Sequence, residues 1–286
     1  MKRLSASEII FKIVAYVIAT AFALVCIYPV IYTFSAAISG ADAYYTGNVV
    51  FFPVDVQFDA VLEMLVGLKS LGFWIAYTNT LFYTLYGTLY SIIISIFAAY
   101  ALSRRNLVFK KQINFLIVFT MWFSAGIMPT FLNYQNLYIN NRWGIIVGFG
   151  VQAFNVILLR NFFNGIPREI EEAAIVDGAG EFKVLTRIYL PMSKSAIATV
   201  TLFYALARWN GYFWNRRLVL NEEHPLQVIL RTQLGESIPD DPSSLSYAPQ
   251  SLMFAMILMS IIPIIVVYPY IQKYFAAGVN VGGVKG

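Results

Sequence analysis

Four long apolar runs without a charged residue limit this chain more than any other feature of its sequence. They cover residues 13–41, 70–103, 112–141 and 242–272, and each is 29 to 34 residues long. A helix needs about 20 apolar residues to cross a bilayer. A soluble domain carries about 25% charged residues, whereas this chain carries 12%. The runs therefore predict membrane-spanning helices and exclude a soluble globular protein.

Two shorter segments complete a predicted set of six spans. Residues 143–159 lie between two arginines whose side chains can reach back to the membrane surface, and residues 195–214 are apolar except for Arg208 and Asn210. The runs lack the period-2 alternation of a membrane β-barrel. We therefore expect an all-α integral membrane protein. Its six transmembrane helices are predicted at 10–38, 73–102, 112–134, 142–163, 194–215 and 249–272.

Basic residues are unevenly divided between the two sides of this topology. The side that carries both termini has 14 of the 20 basic residues and six acidic ones, a balance of +8. The opposite side has six basic and nine acidic residues, a balance of −3. Because Lys and Arg accumulate in cytoplasmic loops, we expect both termini in the cytoplasm. The net charge of +5 then reflects topology, and no nucleic-acid partner is expected.

The most polar stretch, residues 164–192, follows the fourth predicted span and is called the charged loop below. Pro167 suits the first turn of a helix, the acidic residues after it favour the positive helix end, and Gly178 can end the helix in a left-handed conformation. A second short helix is expected from about Gly180 to Tyr189, ended by Pro191. Two such helices form either a docking element or an ordinary amphipathic loop at the membrane surface.

The charged loop resembles the EAA loop of ABC importer permeases. The family pattern is Glu-Ala-Ala, three residues, Gly, nine residues, Ile, one residue and Leu-Pro, and every spacing is kept here. The flanking stretches "NVILLRNFFNGIPREI", "MPTFLNYQNLYINNRWGIIV", "YTNTLFYTL" and "FYALARWNGYFW" resemble carbohydrate-type permeases, so that the likeness covers roughly residues 70–286. The loop positions assigned to ATPase coupling are Glu171, Glu172, Ala173, Ala174, Asp177, Gly178, Ile188, Leu190 and Pro191.

The resemblance implies a type I ABC importer permease fold with a cytoplasmic coupling helix in the charged loop. That helix would sit in a cleft of an ATPase dimer, where Glu172 would pair with a basic residue. The resemblance also implies a second permease subunit, an extracytoplasmic substrate-binding protein and an oligosaccharide substrate. The expected domains are residues 1–72, with the first helix and an outer loop, 73–272, a five-helix core, and 273–286, a cytoplasmic tail.

The final residues, "GGVKG", resemble the tail that reaches between the ATPase subunits in maltose-type importers. This likeness assigns Gly282, Gly283 and Lys285 to the ATPase interface, and the alternative is a frayed end. The chain has no Gly-Lys pair and so lacks the P-loop motif for nucleotide phosphates. We therefore expect no enzyme activity and no cofactor or metal on this chain. ATP and Mg would bind to the partner ATPase. The expected location of this chain is the bacterial cytoplasmic (inner) membrane.

Residues of the substrate path are chosen by chemistry, because sugar rings stack on aromatic side chains and hydrogen-bond to polar groups. Arg208 is the sharpest candidate, since a charge within the membrane usually faces a cavity or a partner; the alternative, which we favour, is that it snorkels to the outer surface. Arg216 and Arg217 indicate an outer-face anchor, which we favour, or an anionic substrate such as a uronate-containing oligosaccharide. The path candidates are Tyr77, Asn79, Tyr83, Asn155, Tyr204, Arg208, Trp209 and Asn210.

Three functions remain in competition at this point. The leading one is a permease subunit that forms half of the translocation path for an oligosaccharide. The second is the same fold importing another small solute, such as a polyol or a glycerol-phosphodiester. The third is an integral-membrane transferase, which would need clustered carboxylates, histidines or metal ligands at the membrane face. The only clustered acids lie in the charged loop, and their spacing favours docking.

Overall fold

The computed structural model describes residues 5–67, 70–233 and 247–282. Within these ranges no strand forms, and an isolated bridge between Ser39 and Val56 is the sole β-type pairing. The prediction of an all-α fold is confirmed. The helices are α1 (Ala6–Ala37), α2 (Ala41–Tyr45), α3 (Asp59–Val66), α4 (Ser70–Ser103), α5 (Lys110–Trp122), α6 (Ile127–Asn136), α7 (Arg142–Gly148), α8 (Ala153–Asn164), α9 (Arg168–Val176), α10 (Glu181–Val184), α11 (Leu190–Met192), α12 (Lys194–Trp209), α13 (Phe213–Leu218), α14 (Leu226–Gln233) and α15 (Pro249–Gly282).

Six spans are possible among the described residues, but only three of them are continuous helices. The apolar parts of α1, α4 and α15 are each long enough to cross a bilayer alone. The other three are bent pairs: α5 with α6 at 118°, α7 with α8 at 49°, and the segment Glu181–Met192 with α12 at 84°. The number of spans thus agrees with the prediction when each bent pair counts as one span. The third and fourth spans were predicted as continuous helices, and each is broken instead.

The break in the predicted helix 112–134 has a local cause. Phe123 adopts extended backbone, with φ −99° and ψ 114°, and Gly126 precedes α6 with φ +87°, a region that L side chains rarely enter. Pro129 follows in the first turn of α6, where proline is tolerated because its missing N–H has no partner there. The composition of the run was apolar enough for one span, but these residues divide it.

The fourth and fifth spans depart from the prediction at their glycines. A Cβ on Gly150, between α7 and α8, would lie 2.3 Å from Cε1 of Tyr90, so the close approach of the chain to α4 requires glycine. The fifth span ends at Trp209 and not at residue 215, because Asn210 and Gly211 turn the chain before α13 begins. The last helix continues to Gly282, beyond the predicted end at residue 272.

The described chain divides into two compact units, one from residues 1–73 and 230–263 and the other from residues 74–229 and 264–286. In the first unit, the hydroxyl of Ser35 donates to the carbonyl of Phe51 at 2.9 Å, and the rings of Tyr32 and Phe254 meet edge to face at 5.7 Å. The most apolar 18-residue stretch of α1 has no buried residue. Its apolar side chains therefore remain available to lipid or to another subunit.

The core of the second unit connects its spans to the charged loop. Buried side chains from α4, α8 and α12 pack against buried side chains of the loop. Ile166, Val184, Leu185 and Tyr189 are the loop's contribution to this core. The loop is consequently fixed to the helical bundle through apolar packing, and it is not a loose connection between two spans.

Candidate functional site

The first helix of the charged loop, α9, forms as its sequence predicts. It begins after Pro167, has Glu169 and Glu171 in its first turn, and ends at Val176, with Asp177 as its C-cap. Gly178 then has φ +78°, and a Cβ placed on it would meet nothing within 4 Å. The glycine is therefore required for its backbone conformation and not for space.

The second helix of the loop differs from its prediction. It runs from Glu181 to Met192 and contains a π-helical turn at Leu185–Tyr189. The N–H of Leu190 bonds to the carbonyl of Leu185, five residues back and not four. The helical turn is therefore already wider just before Pro191. Because the wider turn accommodates a residue that lacks an N–H, the helix continues past Pro191, and the chain turns at Ser193 instead.

A cluster of five side chains, called the arginine cluster below, fastens both loop helices to the end of α4. Arg104 forms ion pairs with Glu171 and with Glu181, the second at 2.9 Å. Tyr189 donates to Glu171, and Tyr100 donates to Glu181, both at 2.5 Å. Burial lowers the pKa of Arg104, but the neighbouring Tyr100, Glu171 and Glu181 outweigh it, so that the pKa is raised and the guanidinium stays charged.

The residues assigned to coupling divide between two faces of the loop. Ala174, Ile188 and Leu190 pack against the core, and Glu171 belongs to the arginine cluster. The remaining members are exposed, and two large apolar neighbours, Val176 at 86% and Phe182 at 69%, are exposed with them. The exposed members are Glu172, Ala173, Asp177, Gly178 and Pro191.

Except for Glu171, the members of the arginine cluster and the two apolar neighbours are absent from the sequence-based assignment. Arg104 and Glu181 enter the sequence analysis only among the counted charges of the side that carries both termini. Arg104 lies two residues after the predicted second span, on the same side of the membrane as the acidic residues of the charged loop. This shared side was the available signal for an ion pair. Of the tail positions, Gly282 is the last residue of α15, and Gly283 and Lys285 lie outside the described residues.

Three of the path candidates, Tyr83, Tyr204 and Arg208, line a cavity of about 290 Å³ between α4, the α7–α8 break and the α12–α13 turn. The hydroxyl of Tyr204 is hydrogen-bonded to that of Ser95 at 2.6 Å and accepts from the N–H of Gln152 at 3.2 Å. These bonds fix Tyr204 in the wall of the cavity, where it is almost fully buried.

Arg208 does not snorkel, contrary to the interpretation that its sequence position favoured. It is 9% exposed, and its guanidinium donates to the carbonyls of Ile145, Ile146 and Phe149 at 3.2, 3.1 and 2.7 Å. Ile145 and Ile146 lie in the last turn of α7 and Phe149 follows it, and the C-terminal end of a helix presents carbonyl acceptors and a negative partial charge. The broken fourth span thus supplies the acceptors that let a cation remain inside the bundle.

The other path candidates lie elsewhere. Tyr77 and Trp209 pack edge to face at 6.1 Å. Asn155 is buried beside Gln152, to whose Oε1 it donates at 3.4 Å. Asn210 is exposed and donates to the carbonyl of Leu206 at the end of α12.

Asn79 helps to hold the segment 222–226 against α4. Its amide donates to the carbonyls of Glu222 and His224 at 2.9 and 3.1 Å, and the hydroxyl of Tyr83 donates to the carbonyl of Glu223 at 3.2 Å. The carboxylate of Glu223 pairs in turn with Arg142 at 3.0 Å. Burial lowers the pKa of His224, and Arg216 lowers it further, while a hydrogen bond to Val219 acts in the opposite direction.

Comparison with known proteins gives a consistent result. The family described as "Binding-protein-dependent transport system inner membrane component" matches residues 67–281. The chain is 36% identical to the polygalacturonan/rhamnogalacturonan transport system permease protein YtcP of Bacillus subtilis (strain 168), over 97% of this chain and 99% of that protein. It is 27% identical to the maltodextrin transport system permease protein MdxG of the same organism, over 99% of each.

A solved structure extends the likeness to the fold. A chain of a bacterial ABC transporter involved in the import of the acidic polysaccharide alginate superposes with a TM-score of 0.89 at 42% sequence identity. The match covers 96% of this chain and 100% of that one. The likeness in fold therefore extends over nearly the whole chain.

Proposed function

We propose that this chain, which belongs to the family of binding-protein-dependent transport system inner membrane components, forms half of the translocation path of an ATP-driven importer for acidic oligosaccharides. The family makes it a transport permease of the inner membrane. The observation that carries the choice of substrate is the likeness, over nearly the whole chain, to a permease for polygalacturonan and to a permease for the acidic polysaccharide alginate. Arg208, Arg216 and Arg217 form no ion pair with the described residues, and their charges agree with an anionic cargo.

The exposed face of the charged loop is the proposed docking surface for the ATPase. It combines the carboxylate of Glu172, the small side chain of Ala173 and the exposed apolar side chains of Val176 and Phe182. A small residue allows a partner to approach closely, and apolar side chains rimmed by charge are typical of an interaction surface. The excess of basic residues on the side of this loop supports its placement, with both termini, in the cytoplasm.

The remaining partners follow from the same proposal. ATP and Mg would bind to the cytoplasmic ATPase dimer, because this chain has no phosphate-binding motif. A second permease subunit would supply the other half of the path, and an extracytoplasmic binding protein would deliver the oligosaccharide to the outer loops. Glu171 would act indirectly, since its carboxylate is occupied within the chain.

The proposal is tested by reconstituting the complex with its binding protein in proteoliposomes and measuring ATP-dependent uptake. We expect uptake of oligogalacturonate or alginate oligomers and little uptake of maltodextrin.

Glu172→Lys should reduce uptake at least tenfold without loss of the folded chain, because it inverts a charge on the proposed docking surface. Glu169→Lys is the matched control, since Glu169 is exposed on the same helix but outside the motif. Uptake of maltodextrin alone would contradict the choice of substrate, and normal uptake by Glu172→Lys would contradict the docking surface.

A further inference from the structure

The cavity beside Arg208 contains a positive charge without a negative partner. Arg208 forms no ion pair with any of the described residues, and all of its hydrogen bonds are to three carbonyls and the hydroxyl of Ser91. Among the described residues, Nε and one N–H of Nη1 of Arg208 have no acceptor. Carbonyl dipoles stabilise a guanidinium but do not cancel its charge, so the cavity retains a site for an anion.

Arg208 is held in this position by the helices around it. A Cβ on Gly87 of α4 would lie 2.8 Å from Nε of Arg208, so glycine makes room for the side chain on that side. The α7 carbonyls fix the opposite edge of the guanidinium. A guanidinium held in a fixed orientation, with N–H groups that are not used by the carbonyls, can donate a charge-assisted hydrogen bond to a carboxylate.

A second polar atom of the cavity is also without a partner. Oδ1 of Asn215 accepts no hydrogen bond from the described residues, although Asn215 lines the cavity and is only 7% exposed. A buried acceptor of this kind costs free energy unless a donor reaches it. A sugar hydroxyl is such a donor.

The walls of the cavity are aromatic. Trp214 and Phe149 line it, with their ring centroids 5.3 Å apart, and aromatic faces are the surfaces on which sugar rings stack. The volume of about 290 Å³ lies at the lower end of the range of ligand pockets, roughly 300–1,000 Å³. This size suits one sugar ring and not an extended chain.

We propose that this cavity binds a single uronate unit of the transported oligosaccharide. The carboxylate would lie against Arg208, a ring hydroxyl would donate to Oδ1 of Asn215, and the ring would stack on Trp214. This inference rests on the proposed function and adds to it a specific site within the membrane. The permease itself, and not only the binding protein, then selects for acidic sugars.

The test compares uptake of an oligogalacturonate with uptake of the same oligosaccharide after its carboxylates are reduced to alcohols, in the proteoliposomes described above. We expect the wild-type complex to prefer the acidic form. Asn215→Asp places a negative charge in the cavity and should lower uptake of the acidic form about tenfold, while uptake of the reduced form changes less than twofold. Asn221→Asp is the control, because it adds the same charge at an exposed position outside the cavity.

Asn215→Leu and Arg208→Gln complete the set. Asn215→Leu removes the acceptor at similar volume and should lower uptake of both forms, whereas Arg208→Gln should abolish the preference for the acidic form. Since Arg208 also holds carbonyls of α7, the Asn215 variants keep the test independent of whether Arg208→Gln assembles. Equal effects of Asn215→Asp on both forms, or no effect, would overturn the uronate site. A wild-type complex that imports neither form would instead contradict the proposed function.

Discussion

Substitution of Arg104 by glutamine is expected to release the charged loop from the end of α4. Arg104 contacts both loop helices through Glu171 and Glu181. Its removal leaves Glu171 with a hydrogen bond from Tyr189 but no positive charge. The core packing of Ile166 and Val184 would remain. We therefore expect a loosened loop within an otherwise folded chain.

The size of the effect follows from the burial of the two ion pairs. The side chains of Arg104 and Glu171 are 20% and 19% exposed, and that of Glu181 is 66% exposed. Removal of one partner from a fully buried pair costs about 3–5 kcal/mol, and an exposed pair contributes about 0.2–1 kcal/mol. With the first pair partly screened by solvent and the second mostly screened, the loss is about 2 kcal/mol. This corresponds to roughly a 30-fold change in an equilibrium constant.

Hydrogen exchange of the purified complex measures this loss directly. Amide protection in residues 168–192 should fall about 30-fold in Arg104→Gln if these amides exchange through local opening. Protection in the middle of α4 should not change. Arg105→Gln is the matched control, because Arg105 is exposed and forms no ion pair with the described residues. Equal protection in the two variants would refute the idea that the arginine cluster holds the loop.

Two further predictions concern single positions. Gly178→Ala should destabilise the turn after α9 by about 1–2 kcal/mol in a thermal-unfolding assay, because the φ of +78° at this position is unfavourable for an L residue. Gly180→Ala is the control and should have little effect, because Gly180 has φ −71°. His224 has a lowered pKa in the folded chain, so the unfolded chain binds more protons near pH 6 and stability should fall as the pH drops below about 6.5. Thermal unfolding between pH 5 and 8 should show this slope in the wild type and a smaller one in His224→Gln.

The spans and the motif were predictable because each depends on residues near one another in the sequence. Apolar runs identify helices by length alone, and the turn at Gly178 requires only its own neighbours. The breaks at Gly126 and Gly150 were missed, because an apolar run does not reveal where a glycine adopts a special backbone or approaches another helix. The acceptors of Arg208 lie 59 to 63 residues earlier in the chain, so no local pattern could distinguish a buried position from snorkelling.

Arg104 and Arg208 differ in how their charges are balanced, and this difference bears on how transport and docking are connected. Arg104 is neutralised by two carboxylates, and its role is to hold two elements together. Arg208 is held by three carbonyls and the hydroxyl of Ser91, and in the proposed site its charge stays available to the cavity. Both contact α4, Arg208 at Ser91 and Arg104 at Tyr100, and a helix rises 1.5 Å per residue. If α4 moves at the cavity, we expect the movement to reach the charged loop through the arginine cluster and through the core packing of α4 against the loop. Loss of Arg104 would weaken this connection without removing the core packing, and we expect binding in the cavity to stay intact.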